Sequence, residues 1–509
     1  MKKYLGIEFG STRIKAALIE ENGGVIGIGV HEWENKLTGG YWSYDLSDVV
    51  AGMQNCYRDL VKSVGKIESL GGVGVSAMMH GYLAFDDKYN LLTPFRTWRN
   101  TNTARASEEL SEMLKFNMPQ RWSAVHYYQA VLDNEAHIKK VAHLHTLSSY
   151  VHYLLTNENV IGVGDASGMF PIADKDYDRA RINKYNAGLK AHGVDKDLYV
   201  LLPKVKLAGE SAGKLTASGA KLLDPAGNLK AGVPVCPPEG DAGTGMVATN
   251  SVRARTGNVS AGTSAFSMTV LSEPLKNYYP EIDVVTTPSA LPVAMVHVNN
   301  CSSEINEWVS LFGEAAELFG AKVGKGELYN KLFGISKESD ENIGGLIGYN
   351  FLSGEPVVGL TEGRPMAIRE PDGKMNLANF MQMQIYSALA SLRIGTETLE
   401  REGVVVDEMC GHGGFFKTEY IGSAAMSAAL NAPVTVMSSA GEGGAYGIAL
   451  LSLYANKKNG TLEDFLDKIF AGAEKRTVTA PDGEKKKFAA FMERYKKYLA
   501  AEKAAAELR

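Results

Sequence analysis

A single carboxylate framed by glycines stands out in the run PPEGDAGTG, residues 237–245. Two prolines interrupt whatever precedes it, because neither offers an N–H to a helix or a ladder. Gly240, Gly243 and Gly245 then let the backbone bend and let a second molecule approach closely. Asp241 in such a loop is either a turn aspartate or an acid that works on a ligand. Two other short stretches have the composition to hold an anion: Gly10–Ser11–Thr12 and Gly262–Thr263–Ser264. In each, a glycine frees the backbone so that successive N–H groups and two hydroxyls can point at a phosphate. Either alone reads as an ordinary turn; the pair points to phosphate.

The elements that must position these groups alternate strand and helix. YLGIEF (4–9) is an apolar run of strand length, followed by GSTRIKAALIE, the turn ENGG (21–24) and the apolar VIGIGV (25–30), a hairpin-rich start. In 46–64 the residues Val49, Val50, Met53, Tyr57, Leu60 and Val61 share one helical face, with Ser47 as the expected N-cap. GGVGVSAM (71–78) reads as a short buried strand. After Pro237–Pro238 the pattern restarts, and VSAGTS (259–264) repeats IEFGST (7–12) in the same strand–turn–strand setting, as internal duplication predicts. Helices are expected at 376–401 and 419–431. In the tail, Phe488, Phe491, Met492, Tyr495 and Leu499 form a packing stripe. The chain is therefore expected to be α/β in two domains, 1–252 and 253–509.

Composition closes other routes. The 509 residues carry a net charge of −5, which gives no electrostatic footprint for nucleic acid. The lysine run at 485–487 reads as a solvated face. The N-terminus is no signal peptide and no apolar run approaches the ~20 residues of a membrane span. Cys56, Cys236, Cys301 and Cys410 are scattered, which fits free, mostly buried thiols in a reducing cytoplasm. His137, His143 and His145 match no zinc spacing and read as a helix surface. No G-x-x-x-x-G-K-[ST] is present, GTGMVA (243–248) lacks the partner acid of a dinucleotide site, and neither G-x-S-x-G nor His-Glu-x-x-His occurs.

The order of the pieces resembles the FGGY carbohydrate kinases across residues 4–453. GIEFGSTRIKAAL is similar to their opening phosphate hairpin, and SAMMHGYLAFD (76–86) to G-x-x-x-Q-M-H-G at Met79 and His80. PFRTWRNTNTAR (94–105) resembles P-x-x-x-W-x-D-x-R at Trp98, and GDASG resembles D-A-S-G-T at Asp165. GVPVCPPEGD (232–241) is similar to G-T-P-V-x-x-G-G-x-D, and VSAGTS to the second hairpin. LSGEP (352–356), GHGGF (411–415) and EGGAYGIAL (442–450) resemble the C-terminal blocks.

That resemblance implies two actin-like domains of the ribonuclease H type with ATP and a sugar or polyol in the cleft between them. It implies Asp241 as catalytic base, since phosphoryl transfer to a hydroxyl needs a proton acceptor that also aligns the oxygen. Met79, His80, Trp98, Arg99, Asn100, Asp165 and Asp241 are implied on the sugar. Gly10, Ser11, Thr12, Lys15, Gly262, Thr263, Ser264, Gly411, Gly413, Gly414 and Phe415 are implied on the nucleotide. Glu8 and Asp241 are implied for Mg²⁺. A homodimer is the family-level expectation for assembly, with no nucleic acid or membrane partner. Several positions depart from the pattern: Glu8 for the usual aspartate, Asn100 for aspartate, Asn102 where arginine is common, and Tyr386–Ser387 for Glu–Gly. The aromatics of GGYWSYDLSDV (39–49) are either sugar-stacking rings or core anchors. Two other readings stand beside the kinase: a degenerate sensor that binds sugar and nucleotide without transfer, favoured by Glu8 and Asn100, and an ATPase of actin-like fold acting without sugar.

Overall fold

A computed structural model describes residues 2–437, 443–457 and 459–508. Glu442, the first residue of the EGGAYGIAL block, lies outside the described residues. The chain forms two units. One comprises 1–254, 278–293 and 439–472; the other comprises 255–277, 294–438 and 473–509.

In the first unit the apolar runs pair as the alternation of side chains requires. Tyr4–Phe9 and Arg13–Ile19 form an antiparallel hairpin, Val25–Glu32 adds to it, and Gly72–Ala77 lies parallel to Tyr4–Phe9 on the other side. The sheet order is Glu239–Gly240, Gly72–Ala77, Tyr4–Phe9, Arg13–Ile19, Val25–Glu32. Leu5, Ile7, Phe9, Val73 and Val75 share a core with Met53, Cys56, Tyr57 and Leu60 of the helix Leu46–Val64. That helix is capped by Asp45 rather than by Ser47, without a side-chain cap bond. The helix Gly443–Asn456 also packs on this unit. It lies so close that a Cβ at Gly6 would stand 2.1 Å from the Ala445 carbonyl oxygen, an approach only glycine permits.

Six strands of the second unit run in the order Pro292–Val298, Ala265–Val270, Thr256–Ala261, Glu408–His412, Val434–Met437, Lys475–Val478. Here too a hairpin is flanked by a parallel strand, Glu408–His412 beside Thr256–Ala261. The helix Leu377–Arg401 is buried on nearly every face. Tyr386 donates to Glu484 at 2.8 Å and packs against Phe488 and Phe491, and Ser387 donates to the Gly348 carbonyl at 2.8 Å. Of the stripe on the final helix, Asp482–Glu507, Phe488, Phe491, Met492 and Tyr495 are buried and Leu499 is half-buried.

The histidines depart from the expected helix surface. His143 and His145 lie on the strand His143–His145, and His145 is fully buried. The β-branched and aromatic company of that segment favours a strand. All four cysteines are buried and free. Among the described residues no helix is long and apolar enough to cross a membrane.

Candidate active site

Asp241 is not in a loop. Gly240 caps a helix, Asp241–Ala248, and Asp241 is its first residue. The glycine-rich sequence disfavours a helix, but an acid in the first turn faces the positive end of the helix dipole. The preceding Glu239–Gly240 pairs in parallel with Ser76–Ala77, and Ser76 Oγ lies 2.9 Å from Thr244 Oγ1, tying strand to helix. Asp241 Oδ1 accepts the N–H groups of Met79 at 3.1 Å and Ala242 at 2.9 Å. Burial pushes its carboxyl up to about 6, against the pull of those N–H groups.

Glu8 lies opposite Lys15 in the hairpin. Its longer side chain reaches the first turn of the helix Gly443–Asn456, where Oε2 accepts the Ala445 N–H at 3.1 Å. A Cβ at Gly444 would stand 2.4 Å from Glu8 Oε1 and 2.7 Å from Thr244 Oγ1. Burial, then the charge of Asp241, pushes the Glu8 carboxyl up to about 7, opposed by Lys15 and the Ala445 and Gly444 N–H groups.

Met79 and His80 follow the strand Gly72–Ala77 in a sharp bend, with φ 70° at His80 and 95° at Gly81. His80 is a non-glycine residue in the left-handed region, an arrangement that costs energy unless its surroundings fix it. His80 Nδ1 is 3.1 Å from the Gly168 carbonyl oxygen. A carbonyl only accepts, so Nδ1 carries the proton and Nε2 is left as an acceptor. Burial, then Arg121, holds the ring neutral by lowering its pKa. Asp165 is fully buried; Oδ2 accepts Thr146 Oγ1–H at 2.7 Å and the Ser148 hydroxyl, while Oδ1 has no partner. Burial raises the Asp165 carboxyl, with Ser148 and Thr146 opposing and Asp241 adding to the rise. Burial, then Asp165, raises that of Glu239.

The remaining sugar-side candidates each bond within the chain. Trp98 is 41% exposed and donates Nε1–H to Ser11 Oγ at 3.1 Å. Arg99 donates to Asn35 at 2.9 Å and lies over the Trp42 ring. Asn100 is buried, and its amide is committed to the Trp42 N–H and to the Trp42 and Thr97 carbonyls, each at 2.9 Å.

The first glycine turn is pinned by aromatics. The Gly10 carbonyl accepts Trp33 Nε1–H at 2.7 Å, the Ser11 carbonyl accepts the Tyr44 hydroxyl at 2.6 Å, and Trp33 stacks on Tyr44 at 4.1 Å. Tyr44 of the aromatic stretch is thus a core anchor. In the second unit, the Gly262 carbonyl accepts the Ser302 N–H at 2.9 Å and its hydroxyl at 2.6 Å, and the Thr263 carbonyl accepts the Cys301 N–H at 2.9 Å. Gly413, at φ 106°, passes so close that a Cβ would be 2.4 Å from the Ala261 carbonyl oxygen. Phe415 is buried against Phe333 and Phe416, and Gly411 against Phe416. Around Gly414 a Cβ would meet nothing within 4 Å.

The structure therefore gathers Glu8, Lys15, Met79, His80, Asp165 and Asp241 in one unit. Glu239 and the pin Trp33 escaped the sequence reading. Glu239 had a signal, an acid where the FGGY pattern has glycine; Trp33 had none, because its partner is a backbone carbonyl.

Residues 3–248 match the N-terminal domain, and residues 257–456 the C-terminal domain, of the FGGY family of carbohydrate kinases. A xylulose kinase of Haemophilus influenzae is 22% identical over 97% of this chain and 99% of its own. Among solved structures, a ligand-bound xylulose kinase from Lactobacillus acidophilus superposes with a TM-score of 0.81 at 14% identity, covering 99% of each chain. A gluconate kinase from Lactobacillus acidophilus gives 0.79 at 16%, covering 100% of this chain and 99% of the other. The fold is that of the sugar kinases, with two actin-like units.

Proposed function

Because the chain belongs to the FGGY family of carbohydrate kinases, and so is a carbohydrate kinase, we propose that it transfers the γ-phosphoryl group of ATP to a hydroxyl of a monosaccharide or related polyol, a ketopentose above all, with Asp241 as general base. The observation that carries this reading is the seat of Asp241. One oxygen is fixed by two backbone N–H groups, and burial sets the carboxyl at about 6. A base near neutrality is ionised in the cell yet still basic enough to take a hydroxyl proton.

Around it, Asp165 Oδ1 and His80 Nε2 are acceptors for sugar hydroxyls, and Met79 packs beside them. Trp98 reaches the sugar from the rim, and Arg99 and Asn100 shape the edge by holding the segments at 35 and 42. Gly10, Ser11, Thr12 and Lys15 from the first unit, and Gly262, Thr263, Ser264 and the Gly411–Phe415 segment from the second, address the nucleotide. In the last segment the contribution is glycine backbone, since the Phe415 ring is already packed.

Glu8 and Asp241 are hard oxygen donors, and Mg²⁺ characteristically takes one or two carboxylates beside phosphates and retained water. Glu8 and Asp241 would hold the ion directly or through water, and when bound it neutralises phosphate charge. Asp241 meanwhile orients the acceptor hydroxyl and receives its proton, while burial and Arg121 disfavour a proton on His80 Nε2.

A coupled assay for ADP across a panel of ketoses, aldonates and polyols tests the reading. Sugar-dependent ADP release, highest for a ketopentose, is expected. ADP release independent of sugar, or sugars that raise the melting temperature yet never yield ADP, would overturn it.

A further inference from the structure

Glu239 takes no part in the chemistry proposed above, yet its carboxylate is built into the sugar side. The residue is 1% exposed. Oε2 accepts the Asp165 N–H at 2.9 Å and Oε1 the Gly164 N–H at 3.3 Å, so both oxygens grip the backbone that leads into Asp165. A Cβ at Gly162 would stand 2.3 Å from Oε1, and one at Gly164 2.5 Å from Oε2. Those two glycines keep open the space the carboxylate fills. Acid and glycines form one fitted device.

From there the contacts run to both sugar-side acceptors. The short helical turn Val163–Ala166 carries Asp165, whose buried Oδ1 has no partner and faces Gly240, 3.2 Å from where a Cβ would be. Just beyond the turn, Gly168 receives the His80 Nδ1–H at 3.1 Å, and a Cβ at Gly168 would be 2.7 Å from that nitrogen. Moving the start of this segment moves both groups together.

We propose that Glu239 is a positioning residue for the sugar: it fixes the 163–168 segment so that Asp165 Oδ1 and His80 Nε2 meet the same ligand, and it thereby sets sugar affinity without affecting the nucleotide. The inference rests on the assignment of Asp165 and His80 to the sugar. Reacting or binding groups displaced by ~1 Å can lose on the order of 100-fold, which makes a support of this kind measurable.

Steady-state kinetics of Glu239→Ala and Glu239→Gln, with the panel sugar of highest kcat/KM, test it. Glu239→Ala is expected to raise the sugar KM about tenfold or more while the ATP KM stays within about twofold. Glu239→Gln, which keeps one acceptor oxygen, is expected to fall between alanine and wild type, and carries the test if the alanine variant does not fold. A sugar KM unchanged in the variants, or sugar and ATP KM rising together, overturns the inference. Asp165→Ala, which removes the acceptor altogether, separates the premise: if that change leaves the sugar KM untouched, the sugar-side assignment falls and the role of Glu239 with it. If it raises the sugar KM while the Glu239 variants do not, only the role of Glu239 falls.

Discussion

The turn at Gly10–Thr12 and the turn at Gly262–Ser264 occupy equivalent places in their sheets. Each closes an antiparallel hairpin whose first strand has a parallel neighbour on its other side. They differ in length by one residue, since Phe9 pairs with Ile14 while Ala261 pairs with Ala265. They differ more in what secures them. Aromatic side chains brought in from Trp33 and Tyr44 hold the first; backbone and a serine just ahead of the helix Ser303–Leu318 hold the second. On the leading strand they differ by one acid: counting back from the glycine, Glu8 corresponds to Ser260. The two units thus hold equivalent glycine turns, and Glu8 stands beside one of them.

If that asymmetry is functional, acid changes near the first turn must cost far more than matched changes near the second. The largest effect belongs to Asp241→Asn, which keeps the shape but cannot take a proton. We expect kcat to fall on the order of 10³-fold, with the sugar melting-temperature shift retained. A kcat near wild type would remove Asp241 from the chemistry. Next, Glu8→Gln is expected to lower kcat about 10–100-fold, partly recovered at high Mg²⁺, whereas Ser260→Ala should stay within about twofold. Equal losses at the two positions would mean that the turns are not specialised.

Much of this arrangement is legible from residue types. The repeated Gly–hydroxyl–hydroxyl turns, the strand–helix alternation and Asp241 are visible because each is a local pattern. What was not legible depends on contacts far apart in the chain. Asp241 begins a helix although Gly243 and Gly245 lie within it, because pairing of Glu239–Gly240 with Ser76–Ala77 and the tie from Thr244 to Ser76 outweigh poor helix propensity. His145 is buried by strand pairing with Leu83 that no spacing rule registers. The sequence marks Asn100 as a substituted position, but not that it clamps the Trp42 backbone 58 positions away.

The two securing modes give a smaller, more local contrast. Trp33→Phe deletes the indole donor to the Gly10 carbonyl and leaves a void beside Tyr44, while the Trp33 backbone bond to Thr12 stays. Losing one hydrogen bond of this kind costs about 1 kcal/mol, so the ATP KM should rise roughly three- to tenfold. Ser302→Ala removes a hydroxyl whose backbone N–H still holds the same carbonyl. Its ATP KM should move by no more than about twofold. The reverse ranking would show that the second turn, not the first, depends on side-chain support.

The smallest expected effect tests whether the acid is held at a cost. Glu8 is raised from 4.5 to about 7 by burial and by Asp241. Above its unfolded value, the folded protein holds a proton that the unfolded chain has released. The stability due to Glu8 is therefore full below about 4.5 and is lost as pH rises through about 7. A neutral glutamine escapes that loss. At ~1.4 kcal/mol for each tenfold change in proton affinity the ceiling is roughly 3 kcal/mol, and residual exposure and poorer acceptance of the Ala445 N–H reduce it to on the order of 1 kcal/mol. Without Mg²⁺ or ligand, Glu8→Gln should melt roughly 1–3 °C above wild type at pH 8, with the gap closing toward pH 4.5. Ser260→Ala should show no such pH-dependent gap, because no proton is at stake there. A Glu8→Gln variant that is less stable than wild type across this range would mean that the carboxylate supports the start of the helix Gly443–Asn456 more than its burial costs.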